Sequence, residues 1–137
     1  MSTSFDAIII GAGQAGPSLA GRLTATGMKV ALVEREFLGG TCVNTGCTPT
    51  KTMVASAYAA HLARRGADFD VLTGPVSVDM SRVRARTEAV VRASRDGVER
   101  SLRDDPRCTV LRGTSSSWEA ATSASSSPRC SAASAPR

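Results

Sequence analysis

An α/β fold, with a parallel sheet and flanking helices, is predicted by three features near the start of this 137-residue chain. Phe5 to Ile10 is an apolar run with three consecutive isoleucines, suited to a strand buried on both faces. Gly11 ends that run, and Gln14 to Thr26 then carries Ala15, Leu19, Ala20 and Leu23 at helical spacing. Lys29 to Val33 reads as a second buried strand, with Glu34 at its end. Strand, glycine turn, helix and strand make the first half of a βαβ unit.

The remaining elements follow in order. Gly27 sits where a helix C-terminal glycine is expected. Residues 35 to 66 hold a Gly-rich loop, two cysteines and a helix. Thr48 can cap that helix and Pro49 can take its first position, where a missing donor costs nothing. It should run to about Arg65, with Gly66 as its stop. Residues 67 to 79 read as a loop with a short extended piece, and Asp79 caps the next helix. That helix aligns Met80, Val83, Thr87, Val90, Val91, Ser94, Val98 and Leu102 on one stripe, with Arg82, Arg86, Arg92 and Arg95 mostly off it. Cys108 to Leu111 is a short strand. The last 24 residues, Thr114 to Arg137, contain nine Ser and six Ala and have no periodicity, which predicts a disordered low-complexity tail. The organisation expected is therefore a folded unit over 1–113 and a tail over 114–137.

Composition narrows the function classes. Apolar residues are 42% and charged residues 21%, as in an ordinary globular protein. The length suits one domain and is too short for a multidomain enzyme unless most of it is missing. No apolar run approaches the roughly 20 residues that cross a bilayer, so no membrane partner and a cytoplasmic location are expected. The net charge of +5 comes from fifteen Arg and two Lys, but Arg64 to Arg112 interleaves eleven Arg with eight acids and aromatics are only 4%. That pattern reads as solvated helix faces rather than a nucleic-acid surface.

Gly11, Gly13 and Gly16 form Gly-x-Gly-x-x-Gly between the first strand and the first helix. The first glycine allows the tight turn, the second lets backbone approach a pyrophosphate, and the third lets helix and strand pack closely. The helix N-terminus then faces the phosphate charge. Glu34, 18 residues after Gly16, stands where an acid would accept from a ribose hydroxyl. The pattern points to a Rossmann-like dinucleotide site without choosing NAD or FAD, and a Gly-rich turn without ligand is the alternative.

Cys42 and Cys47 lie in Gly39-Gly40-Thr41-Cys42-Val43-Asn44-Thr45-Gly46-Cys47-Thr48-Pro49-Thr50-Lys51. Five residues advance about 7.5 Å in an ideal helix, beyond the usual span of a disulfide. A bridge therefore needs distorted backbone, which Gly46 and Pro49 permit, and would be of the labile, catalytic kind. Cys47, just before a helix start, would have its thiolate favoured there. Zinc is a poor fit, because the spacing is not Cys-x-x-Cys and His61 is the only histidine. Two inert thiols are the bland alternative.

This cysteine segment resembles the redox-active disulfide motif of the class I pyridine nucleotide-disulfide oxidoreductases, which include dihydrolipoamide dehydrogenase, glutathione reductase and mercuric reductase. The likeness covers about residues 5 to 113, and Thr48, Thr50 and Thr52 look most like the mercuric-reductase-like branch. The resemblance implies FAD at the first turn, with NAD(P)H as co-substrate. Gly11, Gly13 and Gly16 would face the FAD pyrophosphate, Glu34 the adenosine ribose and Thr41 the phosphate or ribityl region. Gln14, Ala15 and Gly46 join the cofactor-binding set. Cys42 would exchange with a small-molecule disulfide or Hg(II), Cys47 would lie against the flavin, and Lys51 would stand near flavin N5. Gly113 and Ser115 are candidates for backbone contact with adenine. No resident metal site is implied.

Other family features have no counterpart in the 137 residues: there is no second Gly-x-Gly-x-x-Gly for NAD(P)H, no returning FAD segment and no C-terminal dimerisation domain with its His-Glu pair. His61, on the helix after the cysteines, reads as a surface or half-buried residue, Cys108 as core and Cys130 as tail. The expectation is an N-terminal piece of a longer enzyme, homodimeric when intact but not as this stretch, whose tail is an out-of-frame read-through. The alternative is a non-catalytic nucleotide-binding or dithiol metal-binding module.

Overall fold

A computed structural model describes residues 4–113 and the backbone of Ser131–Ser134. Three parallel strands, β1 (Ala7–Ile10), β2 (Val30–Glu34) and β3 (Cys108–Arg112), alternate with helices α1 (Ala15–Ala25), α2 (Gly40–Asn44), α3 (Cys47–Arg64) and α4 (Met80–Arg103). A fourth parallel strand, β4 (Ser131–Ser134), completes the sheet order β3-β2-β1-β4. β1 aligns Ala7 with Val30, and β2 aligns Val30 with Cys108. Sequence patterning assigned no element to Ser131–Ser134; its backbone pairs with β1 from Ala7 to Ile10. The other residues of the expected tail, including Trp118 and Cys130, lie outside the described residues.

The strand pattern follows from burial on both faces. Ile9, Val30 and Leu32 face one side with Ala20 of α1 and Leu102 of α4, and Leu19, Leu23, Val98 and Val110 pack around them. Ile8, Ala31 and Val33 face the other side with Phe5 and Leu111. Of the three isoleucines only Ile10, at the end of β1 that meets the glycine turn, is exposed, at 40%. Asp79 caps α4 as expected, its Oδ1 accepting from the backbone amides of Ser81 at 2.9 Å and Arg82 at 3.1 Å. On α4 the predicted stripe buries Thr87 and Leu102, while Met80 and Val90 are exposed.

Two boundaries differ from expectation. α3 starts at Cys47, with Gly46 as its cap in place of Thr48, and the Thr50 amide donates to the Gly46 carbonyl at 3.1 Å. Pro49 is then the third helical residue, still among the amides that lack an intrahelical acceptor. The Gly-rich stretch before it is not all loop, because Gly40–Asn44 forms α2.

Most arginines of α4 are exposed as expected, including Arg82, Arg84 and Arg92, but two of them bond to neighbouring helices. Arg86 Nη2 donates at 2.6 Å to the Thr52 carbonyl and at 2.6 Å to Ser56 Oγ, and Arg95 reaches α2. Both therefore link α4 to the cysteine-bearing helices. No helix among the described residues is long and apolar enough to cross a membrane.

Candidate functional site

The glycine turn sits at the C-terminal end of β1, where the strand order changes direction between the β2 side and the β4 side. In open parallel sheets that crevice is where ligands bind. Gly11 turns the chain at φ +100°, a conformation that side chains strain. Gly16 lies against the sheet, because an added Cβ would strike the Gly11 carbonyl oxygen. At Gly13 a Cβ would meet nothing within 4 Å. The turn is closed toward the sheet and open at Gly13. Gln14 is the N-cap of α1, Ala15 is its first residue, and no side chain caps its first amides. Those donors and the helix dipole suit an anion such as a pyrophosphate.

Glu34 ends β2 beside this turn. Its Oε2 accepts from the Ala12 amide at 2.7 Å and its Oε1 from the Glu36 amide at 2.9 Å. The carboxylate thus fastens the glycine turn to the second strand. Gly113 follows β3, and its amide donates to the Glu34 carbonyl at 3.1 Å. The structure therefore brings Gly113, Glu34 and the turn to one edge of the sheet. Ser115 lies outside the described residues.

The cysteine segment is docked on the same turn. The Gly39 amide donates to the Ala12 carbonyl at 2.7 Å, and Gln14 Nε2 donates to the Gly39 carbonyl at 3.3 Å. Gly40, at φ +58°, approaches so closely that a Cβ would lie 2.8 Å from Gly13 Cα. Thr41 and Cys42 then enter α2. The amides of Thr45 and Gly46 both reach back to the Thr41 carbonyl, at 3.0 and 2.7 Å, which ends α2 and lets α3 begin at Cys47. The cysteines therefore stand on successive helices, so the separation along one ideal helix does not apply.

Both thiols are free, with Cys42 partly exposed and Cys47 exposed at the first position of α3. Hydrogen bonding toward the Cys47 side chain is the main cause that pushes the Cys42 thiol above its ordinary range, followed by desolvation and by the negative charge of the Cys47 sulfur. The Cys47 backbone amide and the Lys51 ammonium pull in the opposite direction with smaller effect. Lys51, one turn along α3, is exposed and makes no ion pair among the described residues.

A pH prediction follows from this pairing. Cys47→Ala removes both the hydrogen bond and the like charge, so the midpoint for alkylation of Cys42 by iodoacetamide should move to lower pH. Mass-spectrometric rates across a pH series check this, and an unmoved or raised midpoint would contradict the assignment. The sign is fixed by the acid: a raised value means Cys42 keeps its proton to higher pH in the intact pair.

Three residues that sequence reasoning did not single out complete the site. Asn44, the last residue of α2, donates through Nδ2 to the carbonyls of Leu38 at 3.1 Å and Gly40 at 2.9 Å. Arg95 Nε donates to Asn44 Oδ1 at 2.9 Å, and the Arg95 guanidinium carbon lies 3.9 Å from the centroid of the Phe37 ring. Asn44 stood inside the motif with no role given, and Arg95 was indistinguishable from its neighbours in a charge run. His61 is exposed on α3, stacked with Tyr58 at a ring separation of 6.4 Å.

Comparison with known proteins places this geometry. Residues 5–117 match the family described as pyridine nucleotide-disulphide oxidoreductase. A dihydrolipoyl dehydrogenase of Bacillus subtilis is 39% identical over 103 residues, covering 75% of this chain and 22% of that protein. One from Acholeplasma laidlawii is 41% identical over 99 residues, covering 72% of this chain and 30% of that protein. The chain thus spans between about a fifth and a third of the length of these relatives. Among solved structures, the Cu(II) complex of the HOCl-induced flavoprotein disulfide reductase RclA from Escherichia coli superposes with a TM-score of 0.63 at 34% identity, covering 82% of this chain and 22% of that one. With its glycine turn, its terminal acid and a two-cysteine segment docked on that turn, the chain belongs to the pyridine nucleotide-disulphide oxidoreductases, an FAD-dependent family.

Proposed function

We propose that this chain forms the FAD-binding, dithiol-bearing part of an NAD(P)H-dependent flavin disulfide oxidoreductase, and that Cys42 and Cys47 pass electrons to a small-molecule disulfide. The supporting observation is a pair of free cysteines on successive helices, in a segment hydrogen-bonded to the glycine turn. The open space at Gly13 and the uncapped first amides of α1 fit a dinucleotide. Gly11, Gly13, Gln14, Ala15 and Gly16 would hold the pyrophosphate of FAD, and Glu34 its adenosine ribose. Thr41, Gly46 and Lys51 would line the path toward the flavin, and Gly113 and Ser115 would meet the adenine. When bound, FAD would supply two-electron relay from a nicotinamide hydride.

The chemistry of the chain's own residues is thiol–disulfide exchange. The deprotonated Cys42 sulfur attacks one sulfur of the substrate disulfide. The substrate S–S bond breaks, one half leaves and is protonated, and a mixed disulfide with Cys42 remains. The deprotonated Cys47 sulfur then attacks Cys42, which releases the second half as a thiol and closes the Cys42-Cys47 disulfide. Two electrons and two protons have then passed to the substrate. Since no second Gly-x-Gly-x-x-Gly occurs in the sequence, NAD(P)H oxidation and dimerisation are assigned to the remaining length of the relatives.

Purification with added FAD tests the flavin part. A yellow protein whose visible band gains a long-wavelength shoulder on reduction is expected, and a colourless protein would count against it. A second reading, binding of a thiophilic metal by the pair alone, draws on the two free cysteines of this segment and on the Cu(II) complex of the structural neighbour. It predicts Hg(II) binding that Cys42→Ser abolishes, without any flavin.

A further inference from the structure

The α2 helix that carries Cys42 has five residues, too few to be stable by its own hydrogen bonds. Its order must come from outside. Within it, Asn44 uses every polar group of its side chain: both amide hydrogens go to the carbonyls of Leu38 and Gly40, and Oδ1 accepts from Arg95 Nε at 2.9 Å. That bond crosses 51 residues of sequence, from the cysteine segment to α4. The guanidinium plane is held in turn over Phe37, at 3.9 Å. Through Gly39, whose amide donates to the Ala12 carbonyl at 2.7 Å, the clamped segment continues into the glycine turn.

We propose that Arg95 is a positioning residue for the Cys42-Cys47 pair, setting the dithiol–disulfide equilibrium by holding α2 through Asn44. The proposal rests on the redox reading of the pair. Closing a disulfide within one chain depends on the effective concentration of one sulfur at the other. If α2 is already held, little further ordering is needed when the bond forms. Without the clamp, α2 frays, the effective concentration falls and the equilibrium shifts toward the open dithiol.

The test is exchange with glutathione. One glutathione disulfide and the protein dithiol give the protein disulfide and two glutathione thiols, so two electrons leave the pair and two protons move to the departing thiols. The full chain is equilibrated across ratios of the two glutathione forms, quenched by alkylation, and the Cys42 and Cys47 peptides are quantified by mass spectrometry. Arg95→Lys keeps the charge but loses the Nε donor and the flat stacking surface. It is expected to lower the equilibrium constant about tenfold, which for a two-electron couple is about 30 mV. Arg86→Lys is the matched control. Arg86 also joins α4 to α3, but its partners Thr52 and Ser56 lie beyond the cysteines, so the constant should stay within about twofold.

An unchanged constant in Arg95→Lys, or an equal shift in Arg86→Lys, would overturn the proposal. If Arg95→Lys does not fold, Phe37→Leu replaces it, since this removes the ring beneath the guanidinium and keeps an apolar side chain. A shift of about threefold in the same direction supports the role of Arg95, and a wild-type constant overturns it. Absence of any Cys42-Cys47 disulfide in the unsubstituted chain at every ratio would instead overturn the redox reading, and the role of Arg95 with it.

Discussion

Gly16→Ala is expected to unfold or severely loosen the chain, whereas Gly13→Ala should spare the fold and remove cofactor binding. The difference arises from what each new methyl group would meet. At position 16 it would strike the Gly11 carbonyl oxygen, which belongs to backbone and cannot rotate aside. α1 would have to lift from β1, separating Ala20, Leu19 and Leu23 from Ile9 and Leu32 in the main core. Overpacking of this kind costs about 3 kcal/mol, a large share of the 5–15 kcal/mol that holds a typical domain together. At position 13 the methyl would enter open space, with nothing within 4 Å. Stability should then change by less than about 1 kcal/mol. That same space is the one assigned to a pyrophosphate, so FAD titration should weaken at least tenfold. Urea unfolding and flavin titration of the two variants separate the effects. A stable Gly16→Ala protein would refute the packing argument, and undiminished FAD binding by Gly13→Ala would refute the cofactor assignment.

Loss of either cysteine should abolish the two-electron exchange completely. Cys42→Ser and Cys47→Ser each leave one sulfur, which can hold glutathione as a mixed disulfide but has no neighbour to release it. The expected result after treatment with glutathione disulfide is a trapped adduct on the surviving cysteine of each variant and no internal disulfide. Cys108→Ser serves as control. Cys108 lies in β3, half-buried against the core, and burial followed by the charge of Asp105 pushes its thiol up. It should therefore leave the exchange untouched. Peptide mapping assigns each adduct. Two-electron capacity that survives in Cys42→Ser or Cys47→Ser would sink the dithiol mechanism.

These expectations show which parts of the site were legible beforehand. Gly11 and Gly16 could be read because the backbone geometry of a strand-to-helix turn excludes side chains there. The strands could be read because burial on two faces leaves continuous apolar runs such as Phe5 to Ile10. The cap at Asp79 was legible because a side chain bonds amides two and three residues away. The start of α3 and its cap were both misplaced by two residues, because Gly46 caps with backbone and carries no side-chain signal. α2 was missed because five residues of Gly-Thr-Cys-Val-Asn have no helical periodicity to detect.

The amino-acid sequence by itself determined the α/β class, the order of strand, turn and helix, and the residues able to carry redox chemistry. Each of these depends on interactions within a few residues or on a repeating pattern of burial. Only the tertiary structure decided that Glu34 ties down the glycine turn across 22 residues, that Gly40 rests on Gly13, and that Arg95 and Arg86 turn inward to the cysteine-bearing helices. Arginines in a mixed-charge helix look alike along the chain. Which of them meets a carbonyl or an amide depends on how helices separated by a long loop come to pack, and that is set by the shared core between α1, α4 and the sheet.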